Sequence, residues 1–305
     1  MDFLIKPCSF LCIIFFTYFL KKVGVLKKEY AMIVLKILMN VTLPATVVTV
    51  FGSFQRNVSL CSLVVLGLCV SLGPFLLMYL LTRKMDKGKS AYYMICSSGF
   101  NIGCYGLPII QAFYGATGAM ISILFDIGNA IMMTSGNFAF TTALLKTEEE
   151  KIKVSTLFKK FFSSVPVDTY LILFVACMAG FRVPAIVVEF VSPIAAANAF
   201  LAMFMLGLLF EPGTKLEHWI HAIRVLLFRY GIGIAVAILC FCFFPFSLEI
   251  RKILVLLLLC PIGAMAPGFV EKCGGDGRLA AFTNSLSTVV SLILMTALVG
   301  IFERM

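Results

Sequence analysis

Apolar residues run through almost the whole chain in long stretches, broken only by short polar connectors. A helix needs about 20 consecutive apolar residues to cross a bilayer, and this pattern supplies that length repeatedly. The runs at 3–20, 30–54, 58–82, 90–114, 117–145, 164–181, 184–210, 222–246, 252–272 and 278–302 are expected to be about ten membrane-spanning helices, making the class an all-α membrane protein. Little chain is left for a soluble domain. The first run ends in Lys21, Lys22, Lys27 and Lys28 and lacks a small-residue cleavage site, so it reads as a retained span rather than a secretory signal.

Composition excludes a water-soluble fold: 61% of the 305 residues are hydrophobic, 13% are charged and the mean hydropathy is +1.04. No soluble core hides that much apolar surface. The net charge of +10 is mostly a statement about topology. Of the 25 Lys and Arg residues, 18 fall in one alternate set of connectors, at 21–28, 83–89, 146–160, 215–229 and 272–278, and 6 in the other set. Basic residues stay on the cytoplasmic side, which puts the 146–160 stretch in the cytoplasm and both termini outside. A nucleic-acid footprint would need a basic face on a soluble module, and none is seen.

The eleven cysteines lie mainly within apolar runs, where a thiol packs as a small hydrophobe. His218 and His221, one turn apart beside Glu217, permit a metal site; two histidines in a cytoplasmic connector more often just meet solvent. No metal or other cofactor is expected. The sequon at Asn57-Val58-Ser59 sits in a connector too short for glycosylation to be favoured.

The one long polar stretch divides the chain into a first five-helix unit at 1–145, a cytoplasmic linker at 146–163 and a second unit at 164–305. An odd number of spans per unit inverts the second relative to the first. Inverted repeats are the architecture of secondary transporters, whose sites lie near the midplane on helices interrupted by glycine and proline. The fourth run of each unit carries such an interruption: Gly99-Phe100-Asn101-Ile102-Gly103-Cys104-Tyr105-Gly106-Leu107-Pro108 in the first, Cys260-Pro261-Ile262-Gly263-Ala264-Met265-Ala266-Pro267-Gly268 in the second. Setting Asn101 against Pro261 lays Ile102-Gly103 on Ile262-Gly263. Proline lacks the backbone donor and glycine holds helix poorly, so both segments lose hydrogen bonds at membrane depth, where that is tolerated only beside a cavity or in packed protein. Either segment alone would suit an ordinary kink; matched positions in two inverted units favour a working site. Pro44 and Pro193 give a weaker echo in the second runs.

At these residues the sequence resembles the auxin efflux carrier family, which takes in the plant PIN-FORMED carriers, the PIN-like proteins and bacterial relatives. The resemblance rests on Asn101-x4-Gly106-Leu107-Pro108-Ile109-Ile110-Gln111-Ala112-Phe113-Tyr114-Gly115, on Pro261-x-Gly263 with Pro267 and Lys272, and more loosely on Leu43-Pro44 and Met205-Leu206-Gly207. It implies interrupted fourth and ninth helices that cross at Pro108 and either Pro261 or Pro267. It also implies that Asn101 contacts the carboxylate of an organic anion. Spans three to five and eight to ten would then move as an elevator against spans one, two, six and seven. The sequence departs from many plant carriers in its short linker and in having two prolines in the ninth segment.

The substrate-binding residues expected are Asn101, Gly103, Gly106, Pro108, Pro261, Gly263 and Pro267, with Asn198 from the second unit. A helix amino terminus aimed at the midplane offers free amides and about half a positive charge, which suits a carboxylate, and glycines let backbone approach the ligand. Asn101 and Asn198 would equally serve as glue between helices. Asp126 lies mid-span with Asn129 and Asn137; it would carry a coupling proton, bar anions, or pair structurally with Lys36 or the asparagines. Asp168 and Glu189, near span ends, read as solvated or paired.

The function expected is a secondary carrier for a small organic anion, not an enzyme, embedded in the lipid bilayer of the plasma membrane or an endomembrane, with a homodimer left open. Two alternatives are a sodium- or proton-coupled carrier of the bile-acid or sodium-proton exchanger type, and an intramembrane protease suggested by Gly274-Gly275-Asp276. The protease motif fails at Cys273, where a glycine is needed, and its two aspartates would have to share one site.

Overall fold

The structure, a computed structural model, describes residues 2–54, 58–146, 164–212 and 216–304 and contains no strand among them. The linker lies outside these residues, apart from Lys146. Helix α1 (Asp2–Lys22) is followed by α2 (Tyr30–Ile37), which continues through a π turn (Leu38–Thr42) into α3 (Leu43–Phe51). Pro44 cannot donate to the preceding turn, which accounts for the widened coil there. A 3-10 turn (Val58–Leu60) leads into α4 (Cys61–Thr82), and α5 (Lys87–Ser97) opens the fourth apolar run with Asp86 capping Gly88 and Lys89.

A second π turn (Ile102–Gly106), ahead of Pro108, leads into α6 (Leu107–Ile131), and a third (Met132–Gly136) joins α6 to α7 (Asn137–Leu145). Within α6, Gly115 takes φ 57° and ψ −143°, a conformation open to a residue without a Cβ. The boundary expected between the runs 90–114 and 117–145 falls at that residue. After the linker come α8 (Val165–Met178), α9 (Ala185–Leu209), α10 (Leu216–Phe243), α11 (Leu248–Leu257), α12 (Ala266–Lys272) and α13 (Gly277–Phe302).

Every apolar run therefore holds a helix or two helix halves. Among the described residues, six stretches are long and apolar enough to cross a membrane: Tyr30–Phe51, Cys61–Thr82, Ile102–Leu145, Ala185–Leu209, Leu216–Phe243 and Gly277–Phe302. Helix α10 begins six residues before its expected start at 222, so His218 and His221 lie in a helix rather than a connector. They have partners: His218 Nε2 lies 3.6 Å from the Asp276 carboxylate, and His221 Nδ1 is 2.6 Å from the Tyr93 hydroxyl.

Two close helix pairs set the frame. Helix α4 lies on α6 with Gly67 facing the carbonyl of Phe125 and Gly128 facing that of Val64, so neither position has room for a Cβ. Helix α9 lies on α1, where a Cβ on Gly207 would meet Ile14 O at 2.5 Å and Thr17 Cβ at 2.6 Å, and also packs against α3. Tyr92, Tyr105, Phe125 and Tyr170 are among the largest buried side chains, and α11 packs on α6.

Candidate functional site

The two interrupted segments meet at the centre of the fold. Helix α5 stops at Ser97, Ser98 is extended at φ −107° and ψ 152°, and Gly99 turns the chain at φ 67°. On the other segment α11 stops at Leu257, and helix resumes at Ala266 with Pro267 in its first turn. Between them the backbone N–H of Asn101 donates to the carbonyl of Pro261 at 2.9 Å. Pro261 is thus the proline at the meeting point. Pro108 is buried further along, at the start of α6, and Pro267 lies in the first turn of α12.

Broken backbone at this depth needs partners, and the neighbouring helices supply them. Asn129 accepts from Phe100 N at 2.9 Å and donates to Phe100 O at 2.8 Å, while Ser71 donates to its Oδ1 at 2.9 Å. The second break is held from α13: Ser287 accepts from Ile262 N at 3.2 Å, Asn284 donates to Gly263 O at 3.2 Å, and Ser291 donates to Leu259 O at 2.7 Å. Arg229 Nη2 donates to the carbonyls of Cys260 (2.9 Å) and Pro261 (3.1 Å), and the guanidinium lies 4.5 Å from the centroid of the Phe100 ring.

Arg229 corrects the sequence reading, which assigned it to the cytoplasmic connectors. It stands thirteen residues into α10, roughly 20 Å along the helix at 1.5 Å per residue, and is 4% exposed. The charge asymmetry between connectors survives its removal. The signal that would have found it was a lone arginine flanked by apolar residues on both sides, at Leu226-Leu227-Phe228 and Gly231-Ile232-Gly233.

A cavity of about 370 Å³ opens against the first break. Asn101, Gly103, Asp126 and Tyr170 line it, with Lys36, Met39, Leu43, Met133, Ala264 and Met265. Asn101 is 5% exposed and its Nδ2 has no hydrogen-bond partner among the described residues. Asp126 accepts from Asn129 Nδ2 at 2.8 Å and from Tyr170 Oη at 3.2 Å. No ion pair joins Asp126 to Lys36 among the described residues, so the asparagine pairing is the one observed. Tyr170 brings α8 onto this carboxylate, and sequence reasoning missed it because a tyrosine in an apolar run carries no mark of its own.

A larger cavity, about 1050 Å³, lies beside the second segment and holds Pro267, Glu211, His218, Glu271, Asp276, Arg278 and Asn284. The two cavities share Met32, Leu35, Ala264 and Met265 as lining. Size does not decide between them: the smaller one reaches the break and an unpartnered donor, whereas the larger holds acids and bases of both signs.

The other expected residues divide. A Cβ on Gly103 would meet Leu43 Cδ2 at 2.9 Å and lie 3.6 Å from Asp126 Oδ2, and one on Gly106 would meet Cys260 Sγ at 2.6 Å, so both glycines sit at close contacts. Gly263 packs its Cα against the Met133 side chain. Asn198 accepts from the Thr42 hydroxyl at 3.0 Å and lines neither cavity. Asn129 is saturated as a clamp, and Asn137 is buried with its Oδ1 unpartnered among the described residues. Asp276 caps α13 through Arg278 N and Leu279 N, is 52% exposed on its side chain, and lines a different cavity from Asp126.

Apolar helices interrupted at depth, facing a cavity with a few convergent polar groups, define a helical membrane protein of the transporter class. The family model for membrane transport protein matches residues 5–165, just over half of the chain, and the chain belongs to that family. This bears out the resemblance read at Asn101 to Gly115. An uncharacterized transporter of Methanothermobacter thermautotrophicus is 29% identical over 133 residues, covering 42% of this chain and 43% of the relative. An uncharacterized transporter of Methanocaldococcus jannaschii is 26% identical over 212 residues, covering 64% of this chain and 65% of the relative. The chain thus spans between two fifths and two thirds of the length of these curated relatives. It is an integral membrane protein.

Proposed function

We propose that the chain is a secondary carrier that moves a small organic anion across a membrane by alternating access. The observation that carries this reading is the side-chain nitrogen of Asn101, without a hydrogen-bond partner among the described residues, buried at a helix break on a cavity of about 370 Å³. A neutral donor beside a helix amino terminus suits a carboxylate that has to be released again. Gly103 and the Pro261 carbonyl hold that geometry, and the methionines of the lining give an adaptable apolar wall.

About ten passes in two inverted five-helix units, 1–145 and 164–305, account for the layout. Equivalent roles in the two units support it: α6 clamps the first break through Asn129, and α13 clamps the second through Asn284 and Ser287. Helices α4 to α7 and α10 to α13 would form the moving body of an elevator, and α1 to α3 with α8 and α9 the fixed one. A second reading, a proton- or sodium-coupled carrier, is favoured by Asp126 in the same cavity.

Uptake of labelled carboxylates and indole acids into proteoliposomes tests the site. Asn101→Ala is expected to weaken uptake about tenfold, equivalent to ~1.4 kcal/mol of lost binding. Uptake unchanged by Asn101→Ala would overturn the assignment.

A further inference from the structure

Two carboxyl-terminal helix ends meet at the crossing, α5 at Ser97 and α11 at Leu257. Each carries roughly half a negative charge on its free carbonyls. Arg229 answers both: it donates to the Cys260 and Pro261 carbonyls just past α11 and stacks on Phe100 just past α5. One positive charge against two half negatives leaves that side of the crossing close to neutral.

The other side holds the amino-terminal end of the helix that starts at Ile102, with roughly half a positive charge, and the Asp126 carboxylate beside it. The charged and titratable groups around Asp126 are Lys36 from α2, Cys104 from the π turn, Tyr170 from α8, Cys260 from the second break and, beyond Phe100, Arg229 from α10. None forms an ion pair with it among the described residues. Its counter-charge is the helix end together with the donors of Asn129 and Tyr170. The Asn101 amide opens to the same cavity with nothing to donate to among the described residues.

On the carrier reading of this cavity, we propose that Asp126 is the resident counter-anion of the first break, standing in the electrostatic place that a substrate carboxylate or sulfonate takes over. An anion reaching Asn101 meets a like charge at low dielectric, and two carboxylates sharing such a site do not both stay ionised. Asp126 therefore takes up one proton as the anion enters, its new O–H available to donate to the ligand. The charge balance of the crossing is the same before and after loading. Each monoanion crosses with one proton and no net charge.

The test uses proteoliposomes of the full chain and labelled benzenesulfonate, whose charge is constant between pH 5 and 8, with protein-free liposomes as background. Uptake below saturation is expected to rise as pH falls, by up to about tenfold per pH unit for a single linked proton. A pH-sensitive dye inside the vesicles is expected to report one proton per anion, and a clamped membrane voltage to leave the rate unchanged. Asp126→Asn is expected to bind the anion more tightly, to lose the pH dependence and to become voltage-dependent. The proton count on the unaltered chain stands even if that variant does not fold. Anion uptake with no accompanying proton overturns the inference and leaves the carrier reading in place, whereas the absence of uptake of benzenesulfonate and benzoate alike overturns both.

Discussion

The backbone N–H of Asn101 donates to the carbonyl oxygen of Pro261 at 2.9 Å, joining two helix breaks that are 160 residues apart in the chain. Neither partner has an intrahelical alternative. The bond therefore fixes the relative height of the two segments, and with it the position of the Asn101 side chain at the cavity wall. The arrangement costs little because each break is also held by a second helix.

The clamp at the first break is Asn129, which satisfies both backbone groups of Phe100 and one oxygen of Asp126. Asn129→Leu leaves a buried N–H, a buried carbonyl and part of a carboxylate without partners. Such groups cost about 1–3 kcal/mol each in water-soluble proteins and less in membrane proteins, so a loss of about 2–3 kcal/mol is expected. Thermal unfolding of the purified protein in detergent measures it. A melting temperature within a degree of the unaltered chain would count against the clamp.

Glycine substitutions separate close packing from mere helix content. A Cβ on Gly128 runs into the Val64 carbonyl, so Gly128→Ala forces α4 and α6 apart and is expected to destabilise by about 1–3 kcal/mol. A Cβ on Gly231, on α10, would stand in open space with nothing within 4 Å, and Gly231→Ala is expected to be neutral or to stabilise by up to about 1 kcal/mol through helix propensity. If the two variants melt alike, the α4–α6 contact does not depend on a glycine at 128.

Much of this was legible in the chain itself. Gly99, Pro108, Pro261 and Pro267 announce interrupted helices because their backbones cannot continue one, and setting Asn101 against Pro261 by sequence names the two residues that the fold bonds together. What stayed hidden were side chains whose roles come from tertiary position. Arg229 looked like one more connector cation because it was counted with Lys215 and Arg224, although the run expected at 222–246 already held it. Tyr170 and Ser287 are chemically ordinary in apolar runs and matter only through what the fold sets against them. Asn198 was open to two readings, a ligand contact or glue between helices, and its bond from Thr42 fits the second.

That pairing yields a prediction of its own. Asn198→Leu removes one hydrogen bond between α9 and the turn before α3, at a position outside both cavity linings. A loss of about 0.5–1 kcal/mol is expected, with anion affinity in the proteoliposome assay unchanged. A tenfold weakening of affinity in a protein that still melts normally would return Asn198 to the binding site.

Asn101 should behave in the opposite way. Its side-chain nitrogen has no internal partner among the described residues, so Asn101→Ala removes a buried polar group that nothing in the described fold satisfies. Removing an unpaired buried donor relieves a desolvation penalty, so the variant is expected to melt at or slightly above the temperature of the unaltered chain. Affinity for the anion is expected to fall in the same protein. Asn101→Asp adds a second carboxylate beside Asp126, and like charges there are expected to abolish binding above neutral pH and to restore part of it in acid, when one of the two is protonated. Isothermal titration of the three proteins at pH 5.5 and pH 8 distinguishes the outcomes. A large drop in melting temperature for Asn101→Ala would mean that the amide holds the fold together rather than the ligand.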